Sequence, residues 1–155
     1  MTTADRQPLA EVLHASRALL AAERAVRTAR QTGDHQDEAA VTARLTLWQA
    51  DLLAAAAQLA AAWDTPRARA TAPHYGTNVA NEMVTAMNTL TLTGPDTAES
   101  LRQRADQAAA LAELPPGETA AATLAELRTP PAAAMPVLAA AVRLYWLHGA
   151  PGADT

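Results

Sequence analysis

A chain of 155 residues, half of them apolar, fits one domain with a substantial hydrophobic core. Its net charge of −4 argues against a general nucleic-acid-binding surface, and the lack of cysteine excludes disulfides, thiolate metal sites and cysteine nucleophiles. Alanine, the best helix former, dominates the apolar residues, whereas aromatic residues, which favour sheets, make up only 3% of the chain and Phe and Ile are absent. This composition predicts an all-α fold.

The first residues lack a basic segment followed by an apolar core, so no signal peptide is expected, and no apolar run approaches the ~20 residues that span a bilayer. We therefore expect a cytoplasmic protein without membrane contact. The 12 basic side chains are all arginine, which together with the alanine excess is typical of a high-GC bacterial coding sequence.

The first two predicted helices form a long hairpin. Apolar residues recur at helical spacing from Pro8 to Thr32, and Gly33 supplies a C-terminal stop. Asp34 is predicted to cap a second helix, which runs without proline or glycine through Trp63. Its apolar seam alternates steps of four and three and comprises Val41, Leu45, Trp48, Leu52, Ala55, Leu59 and Ala62. This helix is long enough to be the spine of a bundle.

Charged residues occupy the predicted tip of the hairpin. Arg27 and Arg30 continue the face of helix 1 and lie opposite Asp34, Asp37 and Glu38 in an antiparallel arrangement. We expect ion pairs here, worth ~0 to 1 kcal/mol each if exposed. A polar contact site for another protein is the alternative.

A third helix is predicted to start at a cap on Thr77 or Asn78 and to end before Gly94. Leu90 to Thr93 alternate in the manner of a strand, but no partner strand is visible, so the helix is extended through them. Asp96 and Glu99 have the form of a capping box for a fourth helix, which Pro115 closes.

A short fifth helix is predicted from Glu118 to Leu127, between two proline pairs. A sixth runs from about Ala132 to His148, or begins near Met135 if Pro136 falls in its first turn.

The sixth helix is apolar on all sides, which indicates burial on all sides. Either helices 1 to 4 surround it, or a second copy of the protein covers one face. Leucines of the second helix that lie outside its apolar seam add apolar surface that another element or a second copy must bury. The predicted interface residues are Leu47, Leu53, Val142, Leu144 and Trp146.

No catalytic or metal-binding residues are predicted. The histidines, His14, His35, His74 and His148, do not form a helical metal-ligand pair. Serine nucleophile motifs and glycine-rich phosphate loops are also missing, so no cofactor is expected.

The connector before the third helix is the one candidate ligand site. Guanidinium, imidazole and hydroxyl groups precede a helix N-terminus there, a combination that suits a phosphate, a carboxylate or a nucleic-acid backbone. The alternative is that these residues cap the helix, pack on the bundle or are solvated. They are Arg67, Arg69, His74, Tyr75, Thr77 and Asn78.

Together these patterns predict a single helical domain over residues 1–155, with 1–7 and 150–155 loose, folded as a compact bundle of five to six helices with a long N-terminal helical hairpin. The leading hypothesis is a non-catalytic interaction or accessory protein that self-associates as a homo-oligomer or binds a protein partner. The alternative is a regulatory or ligand-binding module that holds an anionic ligand or nucleic acid at the connector. A helix-turn-helix at Gly94–Pro95 lacks a basic recognition face, which argues against DNA binding, and an enzyme ranks third.

Overall fold

The computed structural model describes residues 8–63, 76–133 and 135–144. Within these residues the chain forms six helices and two short strands. The prediction of an all-α bundle is therefore confirmed. In chain order the elements are α1 Pro8–Thr32, α2 His35–Ala62, α3 Thr77–Met87, β1 Thr91–Asp96, α4 Ala98–Ala112, α5 Glu118–Leu127, β2 Ala132–Ala133 and α6 Met135–Leu144.

The hairpin between α1 and α2 forms as its local signals predict. Gly33 adopts a positive φ of 76°, the left-handed conformation that glycine accepts without strain. Asp34 then caps α2, since its carboxylate accepts hydrogen bonds from the backbone N–H groups of Gln36 and Asp37 at 3.0 and 3.1 Å. The two helices pack along their length.

Helix α2 is the central element, because it packs against α1, α4, α5 and α6. Leu52 and Leu59 of its predicted seam are fully buried, and Leu45 and Trp48 pack on the core from partly buried positions. Leu53 of α2 and Trp63, which follows it, belong to the same core. Further large side chains come from α1, α3, the segment between α3 and β1, α4 and α6; they are Leu9, Val12, Leu19, Met83, Met87, Leu90, Leu101 and Val137.

The predicted helix through Leu90 to Thr93 is wrong. Helix α3 ends at Met87, and β1 pairs in parallel with β2, Thr91 opposite Ala132 and Asp96 opposite Ala133, with an irregular register between them. The strands approach so closely at Gly94 that a Cβ there would overlap the Cβ of Ala132. Only glycine therefore fits at position 94 when the two strands pair in this way.

Two helix caps differ from the predicted residues. Thr97, rather than Asp96, caps α4, in a capping box where Ser100 N–H donates to Thr97 Oγ1 at 3.1 Å and Thr97 N–H donates to Ser100 Oγ at 2.9 Å. Asp96 instead accepts a hydrogen bond of 2.9 Å from Ala132 N–H, because it ends the strand. Gly76 caps α3 without a side-chain hydrogen bond.

Helix α6 begins at Met135, the later of the two predicted starts, and is described through Leu144. It packs against α2 and α3. Val137 and Ala140 are fully buried there, and Arg143 donates a hydrogen bond of 2.6 Å to the carbonyl oxygen of Ala60. This chain therefore covers at least one face of α6 itself.

Candidate functional site

A cleft of about 650 Å³, which we call the arginine cleft, opens between the C-terminal turns of α1, the middle of α2 and the ends of α3 and α5. Four arginines, two glutamates, apolar side chains and a row of hydroxyl and amide groups surround it. Its lining residues are Glu23, Val26, Arg27, Arg30, Thr42, Leu45, Thr46, Gln49, Thr85, Asn88, Thr89, Arg104, Leu127, Arg128, Thr129, Pro130 and Pro131; Glu38 pairs with two of the arginines at its edge.

Glu38, in the first turn of α2, is the buried anion at this edge. Its side chain is 3% exposed. Arg128 binds it through two hydrogen bonds of 2.7 Å, from Nε to Oε2 and from Nη2 to Oε1. Arg30 adds a longer contact of 3.3 Å from Nε to Oε2. A paired, hydrogen-bonded arrangement of this kind is what allows a carboxylate to be buried.

The charge of Glu38 is stabilised by these contacts. The hydrogen bond from Arg128 lowers the pKa of Glu38, with Arg30 contributing in the same direction, while burial opposes the change. Glu38 in turn raises the pKa of Arg128. Both groups are therefore ionised at neutral pH, and Glu38 is a weak base.

The predicted hairpin-tip ion pairs are confirmed in part. Arg30 pairs with Glu38, which lies eight residues away on the facing helix. Arg27 pairs instead with Glu23 on its own helix, at 3.9 Å. The sequence prediction missed Arg128, because 90 residues separate it from Glu38.

Arg104 of α4 is held in a different way. Its Nη2 donates to the backbone carbonyl oxygens of Glu126 at 3.3 Å, Leu127 at 3.1 Å and Thr129. The first two oxygens belong to the last turn of α5 and the third follows the helix; the last carbonyl groups of a helix lack an intrahelical partner. Arg104 therefore fixes the end of α5 as one wall of the cleft.

The α2 wall of the cleft carries buried polar side chains. Thr42, Thr46 and Gln49 share one face by their spacing and are 3, 3 and 5% exposed. Thr46 donates its hydroxyl to the Thr42 carbonyl at 2.8 Å. The Thr42 hydroxyl oxygen has no hydrogen-bond partner among the described residues. A buried polar group without a partner costs about 1–3 kcal/mol, so this hydroxyl lowers the stability of the α2 wall.

The predicted connector site falls mostly outside the described residues. This applies to Arg67, Arg69, His74 and Tyr75. Thr77 begins α3, and Asn78 is exposed in its first turn.

The predicted interface residues are placed differently from one another. Leu47 is 44% exposed on α2, whereas Leu53 is only 5% exposed and packs in the main core of this chain. The off-seam position of Leu53 predicts that it needs an external cover, but the core of this chain extends around α2 and buries it. Val142 and Leu144 belong to α6, and Trp146 lies outside the described residues. Leu114, which the sequence prediction missed, is 53% exposed after α4.

A second, smaller cleft lies between α1 and α2. It measures about 500 Å³ and is lined by Glu11, His14, Trp48 and Asp51, among others. The His14 ring meets Trp48 edge-on with centroids 5.5 Å apart. Among the described residues, no three His, Asp or Glu side chains are grouped so that they could hold a metal ion.

None of the described helices combines the length and apolar character needed to cross a membrane. Comparison with family models, with curated proteins and with solved structures finds no match for this chain.

Proposed function

We propose that this protein is a non-catalytic binding module that holds a small anionic ligand in the arginine cleft. The observation that carries the proposal is the gathering of four arginines around one cleft of about 650 Å³ in a chain whose net charge is −4. A cleft with an excess of one sign of charge concentrates ligands of the opposite sign. The ligand class is that of the connector hypothesis, but the site is different.

The four guanidinium groups are not fully used within the chain. Arg27 touches only Glu23, at a distance beyond hydrogen bonding, and Arg30 uses only Nε towards Glu38. Each guanidinium has five N–H donors in a planar fork that suits carboxylate and phosphate oxygens. Donors therefore remain for a ligand.

Binding is favoured over catalysis by the state of the two carboxylates. Glu38 is engaged by two arginines and its pKa is lowered, so it is a poor general base at neutral pH. Glu23 pairs with Arg27. The remaining polar groups of the cleft are guanidinium groups, which only donate hydrogen bonds, and hydroxyl and amide groups, which donate and accept them.

The proposal is tested by calorimetric titration of inorganic phosphate at low ionic strength. We expect Arg27→Ala/Arg30→Ala to lose at least about tenfold in affinity, or about 1.4 kcal/mol, because both donors of the α1 wall are removed. Arg24→Ala is the matched control, since Arg24 is exposed on the same helix outside the cleft. Equal binding by the double variant and the wild type would contradict the proposal.

Self-association is a second candidate function, favoured by the exposure of Leu47 at 44% and of Leu114 at 53%. We expect native mass spectrometry to find a homodimer that Leu47→Glu weakens. Because Leu47 is exposed, this substitution does not place a charge in the core, and circular dichroism checks the fold. A wild-type monomer, or a dimer that Leu47→Glu leaves intact, would oppose a role for Leu47. Cytoplasmic location and bacterial origin remain predictions from composition.

A further inference from the structure

We infer that the ligand of the arginine cleft is a small organic dianion whose charged head binds between Arg27 and Arg30. This inference rests on the proposed function and adds the charge, the size and the orientation of the ligand.

The charge of the ligand follows from the charges around the cleft. Four guanidinium groups face two carboxylates, those of Glu23 and Glu38, which leaves two positive charges in excess. A ligand with two negative charges neutralises this excess. A monoanion would leave one positive charge uncompensated. Since the side chains of Arg27 and Arg30 are 63 and 40% exposed, this difference is largest at low ionic strength.

The position of the head group follows from the donors that remain. Arg128 uses both Nε and Nη2 on Glu38, and Arg104 uses Nη2 on three backbone carbonyls. Arg27 and Arg30 are the least engaged of the four. They stand three residues apart on α1 and are therefore neighbours on one helical face, with Cβ atoms about 5–6 Å apart. Two such forks can hold the oxygens of one phosphate or carboxylate.

The apolar side chains of the cleft indicate that the ligand has an organic part beside its charged head. Val26, Leu127 and Pro131 are buried there, and Leu45 is partly buried. The volume of about 650 Å³ lies in the range of small-molecule sites and far exceeds one inorganic ion. The body of the ligand therefore lies against these side chains, within reach of the Thr42 to Gln49 face of α2.

Phosphate monoesters and dicarboxylates share this chemistry, and matched probes distinguish them. Calorimetry at pH 8 and low ionic strength compares butyl phosphate, a dianion above its second pKa of about 6, with methyl butyl phosphate, a monoanion of similar shape. Glutarate represents dicarboxylates, and inorganic phosphate provides a reference without an organic body.

We expect butyl phosphate or glutarate to bind at least about tenfold more tightly than methyl butyl phosphate, and more tightly than inorganic phosphate. The tighter of the two identifies the class of head group. Arg30→Ala should remove most of the preference for the dianion, while Arg24→Ala should preserve it.

Equal affinity for the dianion and the monoanion, with both lost in Arg27→Ala/Arg30→Ala, would overturn the inference and leave the proposed function standing. Inorganic phosphate binding as tightly as both organic dianions would overturn the organic part. If no probe binds the wild type, the inference and the proposed function both fail.

Discussion

At the scale of single residues, Glu38 links the stability of the fold to the charge of the cleft. Its carboxylate is buried, but its partners Arg30 and Arg128 remain 40 and 44% exposed. Water therefore screens the guanidinium side of each pair, and the interaction is worth less than a fully buried ion pair.

Glu38→Gln tests this contribution. The substitution preserves the shape of the side chain but removes its charge and turns an amide group towards guanidinium donors. We expect a loss of about 1–3 kcal/mol in the free energy of unfolding, the cost of leaving a buried polar group poorly paired. Urea unfolding at pH 7 measures it, with the exposed Glu113→Gln as the control. Equal stability of the two variants would show that the ion pairs contribute nothing measurable.

The same residue predicts a pH dependence. The pKa of Glu38 is lower in the folded chain than its usual 4.5, so its stabilisation is complete above about that pH and disappears as the pH falls through the folded value. The difference in unfolding free energy between wild type and Glu38→Gln should therefore shrink between pH 6 and pH 3. A difference that stays constant over this interval would contradict the lowered pKa.

Glu38→Gln should also strengthen binding of an anion, because it adds one positive charge to the excess in the cleft and releases the Nε of Arg30. We expect affinity for butyl phosphate to rise about tenfold at low salt, as measured by the same calorimetry. Weaker binding by a folded Glu38→Gln variant would mean that Glu38 positions the arginines for the ligand rather than competing with it.

At the scale of elements, the parallel pairing of β1 with β2 depends on the close approach at Gly94. The alternation of Leu90 to Thr93 indicates the β1 strand in the sequence. The partner strand β2, however, consists of two alanines, Ala132 and Ala133, and alanine favours a helix. Tertiary pairing overrides that preference. The cap of α4 shows the same limit, since Asp96 and Thr97 are both good capping residues and only the distant Ala132 decides between them.

Gly94→Ala should destabilise the protein by about 1–3 kcal/mol, the usual cost of overpacking, because its Cβ would overlap that of Ala132. Thermal unfolding measures the effect. Gly117→Ser is the control, since a Cβ at Gly117 meets nothing within 4 Å and serine is a good N-cap for α5. Equal melting temperatures for the two variants would argue against tight packing of β1 on β2.

At the scale of the whole molecule, the contacts that could be predicted from the sequence are those between residues close along the chain. The α1–α2 hairpin, its glycine stop and the Arg30–Glu38 pair depend on residues close along the chain, and local periodicity identified them. The arginine cleft could not be found in this way. It needs Arg104 and Arg128, which meet α1 and α2 only through the packing of α4 and α5.

An NMR titration that follows the arginine Nε–Hε signals with butyl phosphate tests the central claim most directly. We predict saturable shifts at Arg27 and Arg30, with Arg24 and Arg44 as exposed references that do not respond. Shifts confined to Arg67 and Arg69 would place the anion at the connector. No saturable shift at Arg27 and Arg30, or equal shifts at every arginine, would contradict ligand binding in the arginine cleft.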